Sequence, residues 1–165
     1  MRRVAVTGHM DLAGGTEQLL RDALPGLLTE LAAGADGLTG LSCLAPGADA
    51  VFAEAVLAAG GTLEVVLPFH DYRSSLAAPA VRGRFDRLVA AASEVTVLPY
   101  PEACLAAFEA ANSALLKRAD ALVAVWDGRP PARGGGTATT VAEAREAGLP
   151  VHVLWPKGAR RDGGR

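Results

Sequence analysis

The stretch "GGGTATTVAEAREAGLPVHVLWP", residues 134 to 156, sets three glycines and a threonine directly before a helix-forming run. The first turn of a helix carries N–H groups without intrahelical partners and a partial positive charge, and glycines placed just ahead of it let phosphate oxygens approach the backbone. Gly134, Gly135, Gly136 and Thr137 therefore read as an anion cradle, with Thr137 either capping the helix or donating its hydroxyl to a phosphate. The plain alternative for a lone glycine run is a flexible turn. Two further loops of the same kind favour a ligand: "TGHMDLAGGT", which carries Thr7, Gly8 and His9, and "APGADA", which carries Ala45, Gly47 and Asp49. His9 suits either a ligand contact or a hydrogen bond to loop backbone. Trp126 and Asp127 close an apolar run beside the glycines and complete the candidate ligand-binding set.

Other chemistries find less support. The chain has no GxxxxGK[ST] phosphate loop and no strict GxGxxG after its first apolar run, which removes the usual signatures of nucleoside triphosphatases and nicotinamide-dependent dehydrogenases. Ser42 and Cys43 lack a GxSxG context. His70 and Asp71 are adjacent without further ligands at metal spacing, and His152 alternates with valines as a structural strand residue would. No metal site, no cofactor and no catalytic residue is assigned. Arg73 is a possible phosphate contact, and Asn112, polar within an apolar helical run, faces either ligand or solvent.

These loops need a scaffold that brings them together. Apolar runs at 3 to 8, 38 to 45, 63 to 69, 94 to 100, 121 to 128 and 151 to 156 read as six buried strands. Alanine- and leucine-rich stretches at about 16 to 33, 48 to 59, 80 to 92, 103 to 118 and 137 to 147 have helical spacing. Strand and helix in alternation imply an α/β fold, a single Rossmann-like three-layer sandwich with a mainly parallel sheet. Pro25 falls inside the first helix and predicts a kink or a restart there. In such sheets ligands lie beyond the carboxyl ends of the strands, where the strand order reverses.

With 165 residues, half of them hydrophobic, the expectation is one domain over 1–156 followed by a flexible basic tail, 157–165. A formal net charge of −2 supplies no general attraction to polyanions, so nucleic acid is an unlikely partner. Cys43 and Cys104 lie in apolar surroundings and read as buried free thiols. No apolar run is long enough for a membrane span, and the chain is expected to be soluble and cytoplasmic.

"LSCLAPGADAVFAEAVL" (41 to 57) resembles the SGLAxGxDxxAHxxAL stretch of DNA-processing protein A, and the 134 to 156 segment resembles that family's GSLxTAxxAxxxGRxVxAxPG. Both are also similar to the PGGxGTxxE loop of the Lonely Guy proteins. These families form the SLOG superfamily of nucleotide-binding or nucleotide-processing domains, and the resemblance runs from "VAVTGH" to "VLWP". It implies a nucleotide or nucleotide-derived ligand, with Gly47, Asp49, Gly136, Thr137 and Thr140 at matching positions, and Asp49 either capping its helix or binding ribose. A nucleotide-sensing module, in the form of a homodimer, is the primary expectation. The alternative is a nucleoside 5'-monophosphate phosphoribohydrolase using Asp49, Asp127 or Glu143. Thr140 stands where the Lonely Guy loop has its acid, and Glu143 lies about 4.5 Å further along the helix, which disfavours hydrolysis. The histidine of the DNA-processing pattern is missing after Asp49, where Phe52, Ala53 and Glu54 stand.

Overall fold

The computed structural model describes residues 1–130 and 136–162. Among the described residues the elements run β1 (Arg2–Gly8), α1 (Thr16–Ala32), β2 (Leu38–Ser42), α2 (Ala48–Ala58), β3 (Thr62–Leu67), α3 (Pro79–Ala91), β4 (Glu94–Val97), α4 (Leu105–Arg118), β5 (Ala121–Val125), α5 (Thr137–Glu146) and β6 (Val151–Val153), with a 3-10 turn at Arg73–Ser75. The strands form one parallel sheet in the order β4-β3-β2-β1-β5-β6. Parallel neighbours require crossovers, and right-handed crossovers put α1, α2 and α3 on one face and α4 and α5 on the other. The α/β three-layer sandwich read from the sequence is the observed fold.

The helices bury the stripes that their sequences provide. Leu20, Leu24 and Leu28 of α1 pack with Val51, Phe52 and Val56 of α2 over Val4, Val6, Val123 and Val125. On the other face Ala111, Leu115 and Ala144 cover Ala5, Leu41 and Leu122. The two strands that flank β1 are buried on both sides, as their unbroken apolar runs require: all five residues of β2 and all five of β5 are buried.

Several expectations need correction. The helix α1 passes through Pro25, which is exposed, without a restart. Cys104 is exposed, just ahead of α4, whereas Cys43 is buried. The strands end earlier than their apolar runs: β2 stops at Ser42, and Leu44 beyond it has φ 53°, outside any strand. The residues past these ends remain apolar because they line a cleft or pack beneath it.

The expected tail is tied down as far as Asp162. Ala13 N–H donates to Arg160 O at 2.9 Å, Thr16 Oγ accepts from Arg160 N–H at 2.9 Å, and Asp162 N–H donates to Asp11 O at 2.6 Å. Leu12 and Arg161 form an antiparallel bridge. The turn at Gly158, with φ 93°, sends this segment back across the β1–α1 loop.

The end of β1 is also the tightest contact in the fold. A Cβ on Gly8 would lie 2.5 Å from Ala48 Cβ and 2.8 Å from Val125 Cβ, so only glycine lets the start of α2 reach the end of β1. Gly26, in the exposed part of α1, has nothing within 4 Å of such an atom. Gly8→Ala is expected to lose about 1–3 kcal/mol of stability by overpacking, while Gly26→Ala gains about 0.5–1 kcal/mol by helix propensity. Urea denaturation of the two variants beside the parent checks both signs.

Candidate functional site

Strand order reverses at β1, which has β2 on one side and β5 on the other. Crossovers leave these strands in opposite directions along the sheet, so their connecting loops part above β1 and leave a crevice. The crevice is a cleft of about 790 Å³. Its floor is Thr7, Gly8 and His9 at the end of β1; one wall is Cys43, Ala45, Asp49, Pro68 and Tyr72. The opposite wall is Trp126, Asp127, Gly136 and Thr137, and Phe108 and Asn112 of α4 look in from above.

Nine of the thirteen residues expected at a ligand site thus share one cavity: Thr7, Gly8, His9, Ala45, Asp49, Trp126, Asp127, Gly136 and Thr137. Gly134 and Gly135 lie outside the described residues. Gly47 and Thr140 do not line the cleft. Gly47 has φ 83°, and a Cβ there would stand 2.8 Å from both His9 O and Met10 O, so its role is the close passage of two loops. It opens instead on a smaller hollow of about 200 Å³. The Thr140 hydroxyl donates back to Gly136 O at 3.3 Å and is buried under α5.

His9 resolves its own alternatives. Its Nε2 accepts the Asp127 N–H at 3.2 Å, and its ring meets Trp155 edge-on at 5.6 Å. Burial lowers its pKa, Arg161 lowers it further, and Asp127 only partly compensates. The neutral ring matches the lone pair that the Asp127 N–H needs, so the 3.3 Å approach of Nε2 to Asp127 Oδ1 is a contact and not an ion pair. His9 both fixes the loop and forms part of the cleft floor.

Burial pulls the Asp127 carboxyl upward, but the Arg129 N–H, His9 when protonated, and Arg161 outweigh it and hold its pKa below the usual value. Arg161 reaches this wall from the segment beyond β6: its Nε donates to both oxygens of Asp11, at 2.9 and 3.1 Å, and its Nη1 lies 3.6 Å from Asp127 Oδ2. Arg73, considered as a phosphate contact, is engaged by Asp86 at 2.8 and 2.9 Å. Glu143 accepts a 2.6 Å bond from Ser113 and is not a cleft residue.

Asp49 stands in the first turn of α2, and 6% of it is exposed. Its Oδ2 accepts the Ala45 N–H at 3.2 Å, which holds the turn containing the left-handed Leu44. Ser42 Oγ secures the same turn by accepting the Leu44 N–H at 3.0 Å. Asp49 thus caps a loop and lines the cleft. Among the described residues no cation pairs with it, and burial raises its pKa to about 7 against a small opposing effect of the Ala45 N–H. Cys43 and Tyr72 nearby are themselves pushed up, by burial first and by the Asp49 charge second.

The sequence reading missed Asp11, Tyr72, Phe108 and Arg161. Tyr72 sits in "PFHDYRSS", already recognised as a loop after a strand, and could have been found there. Arg161 could not, because a glycine-rich basic ending looks solvated. Asn112 faces the cleft, one of the two orientations its position allowed. Among the described residues no group of three or more His, Cys, Asp or Glu side chains is placed to hold a metal, and no helix is long and apolar enough to cross a membrane.

Comparison of whole folds places this geometry. DNA processing protein A from Streptococcus pneumoniae superposes with a TM-score of 0.66 at 20% identity over 96% of this chain and 52% of that one. The same protein from Helicobacter pylori, described for its single-stranded DNA binding mode, gives a TM-score of 0.67 at 16% identity, over 98% of this chain and 69% of that one. The Moco carrier protein of Chlamydomonas gives 0.56 at 22% identity, over 93% and 75%. The fold is shared with these proteins. This chain spans about half the length of the Streptococcus protein. No family model and no curated protein sequence matches the chain.

Within this fold the Asp49 carboxyl, which no cation pairs among the described residues, makes a measurable signature. Unfolded, the group ionises near pH 3.9; folded, it holds its proton up to about pH 7. The unfolded chain therefore binds fewer protons between those values, and this group's contribution lowers stability as pH rises from about 4 to about 7, then stays constant. Asp49→Asn keeps an oxygen for the Ala45 N–H and cannot ionise. The variant should melt several degrees above the parent at pH 8, with the gain shrinking to nothing near pH 4.

Proposed function

We propose that this chain is a binding module for a nucleotide or nucleotide derivative, held in the cleft above β1 with its phosphate toward Gly136 and Thr137. The observation that carries this reading is the position of the α5 N-terminus on that cleft. Gly136 precedes the helix with φ 84°, the described cap carries no side-chain hydrogen bond to it, and Thr137 follows as its first residue. N–H groups of the first turn suit a phosphate there. The sequence resemblance to nucleotide-handling SLOG domains supports the same ligand class.

Binding is favoured over hydrolysis by the acids. Splitting an N-glycosidic bond needs a carboxylate against the ribose to stabilise the charge that develops on the sugar. Glu143 points to Ser113, and Thr140, which replaces the acid of the Lonely Guy loop, turns its hydroxyl back on its own helix. Asp127 is committed to the Arg129 N–H and to Arg161. Single-stranded DNA, the ligand described for the Helicobacter protein, is disfavoured by the net charge of −2. We propose a homodimer as the assembly, which light scattering would test.

Trp126 provides the readout: it lines the cleft, its Nε1 donates to Arg129 O at 2.9 Å, and the Arg145 guanidinium lies 5.9 Å from its ring. Addition of nucleoside monophosphates is expected to change indole fluorescence saturably and to raise the melting temperature. No base should be released from AMP, GMP, CMP or UMP above background. Fluorescence and melting that no nucleotide moves would remove the binding reading, and turnover lost on mutating Asp49 or Asp127 would replace it with hydrolysis.

A further inference from the structure

The cleft contains an acceptor that the described residues leave unused. Every described side-chain N or O that is sealed from solvent has a hydrogen-bond partner. Asp49 Oδ2 is taken by the Ala45 N–H, and among the described residues no hydrogen bond reaches Oδ1. Oδ1 is therefore the edge by which this otherwise buried carboxyl meets the cavity. A carboxyl placed out of water without a cation is unfavourable, and a fold retains such a group most readily where something else supplies its donors.

The surroundings define those donors. Asn112 faces the same cavity from α4, and its Oδ1 lies 3.9 Å from Cys43 Sγ, a contact that leaves the amide Nδ2 without a partner among the described residues. Cys43, which touches this amide, is within electrostatic reach of the Asp49 carboxyl. Tyr72 and Phe108 add apolar faces that suit a planar ring, joined through Phe69, which meets each of them edge-on at 5.4 and 5.8 Å. A carboxylate acceptor and an amide donor lining one cavity with aromatic side chains match a heterocycle that offers adjacent N–H donors next to a carbonyl.

We infer that Asp49 and Asn112 read the 2-amino-4-oxopyrimidine edge of the ligand, the edge shared by guanine and pterins, with Asp49 accepting from the ring N–H and the exocyclic amine and Asn112 donating to the carbonyl. Adenine presents an acceptor where this edge has its ring N–H, and xanthine replaces the amine by a second carbonyl. Both leave the carboxyl unsatisfied or repelled. This assignment rests on the reading of the cleft as a nucleotide site. The two ends of the site agree in spacing: Asp49 follows β2 and Thr137 follows β5, two strands apart, which is about 10 Å and comparable to a mononucleotide.

The test is an affinity panel on the full chain, by calorimetry, with GMP, AMP, XMP and a phosphorylated 6-hydroxymethylpterin, repeated on Asp49→Asn. The parent should bind GMP at least about tenfold more tightly than AMP or XMP. Asp49→Asn offers an N–H in place of one carboxylate oxygen, so it should lose GMP, gain XMP and bind AMP no worse than the parent does. A purely structural role for Asp49 would weaken all ligands together and could not invert the preference. The pterin arm identifies the source of the edge: tighter binding than GMP indicates a pterin and weaker binding a guanine nucleotide, and the assignment holds in either case. Equal affinity for AMP and GMP, or an Asp49→Asn variant with the parent's preferences, overturns the ring assignment while the cleft remains a nucleotide site. Binding of none of the four overturns both.

Discussion

The position of β1 governs the molecule. A parallel sheet sends every strand the same way, so all six carboxyl ends lie along one edge, and the order β4-β3-β2-β1-β5-β6 makes the crossovers diverge at β1. Loops that diverge cannot cover the strand end between them. The opening is a consequence of connectivity, and the side chains decide only what occupies it. Gly8 and Gly47 show how closely the chain is drawn in at this point: both lie against neighbouring backbone or Cβ atoms where no side chain fits.

Charge is divided unevenly around that opening. On the β5 side, Asp11, Asp127 and Arg161 satisfy one another, and neutral His9 accepts a backbone N–H, so little electrostatic need is left. On the β2 side, Asp49 carries its burial without a counter-ion beside the raised Cys43 thiol and Tyr72 phenol. The paired wall supports the loop geometry; the unpaired wall is where a ligand gains most by supplying donors. The segment from Pro156 to Asp162 belongs to this division, because it delivers Arg161 to the paired wall and fastens the β1–α1 loop through Thr16.

Sequence periodicity was sufficient for the fold because buried parallel strands and amphipathic helices follow from apolar spacing, and all six strands and five helices lie where the spacing puts them. Strand ends were less legible. Cys43, Ala45 and Pro68 are as apolar as the strands they follow, yet they line a cavity, and composition does not distinguish a ligand's wall from a core. Loops after strands were identifiable from glycine and small polar residues, and nine of the residues they singled out line one cavity. Gly47 has the same composition as a ligand loop, but its left-handed backbone serves a crossing of two chains. Arg161 was illegible for a different reason: its role depends on an antiparallel bridge to Leu12, a contact across nearly the whole chain that no local pattern records.

The central claim is that ligand occupies the crevice above β1, and backbone amide chemical shifts test it most directly. In proton–nitrogen correlation spectra recorded while GMP is added, the largest changes are expected at Thr7, Gly8, His9, Asp49, Trp126 and Thr137, saturating together. Shifts confined to the outer faces of α1 and α3, or to the smaller hollow at Leu76, Arg84 and Leu88, would place the ligand elsewhere and contradict the account.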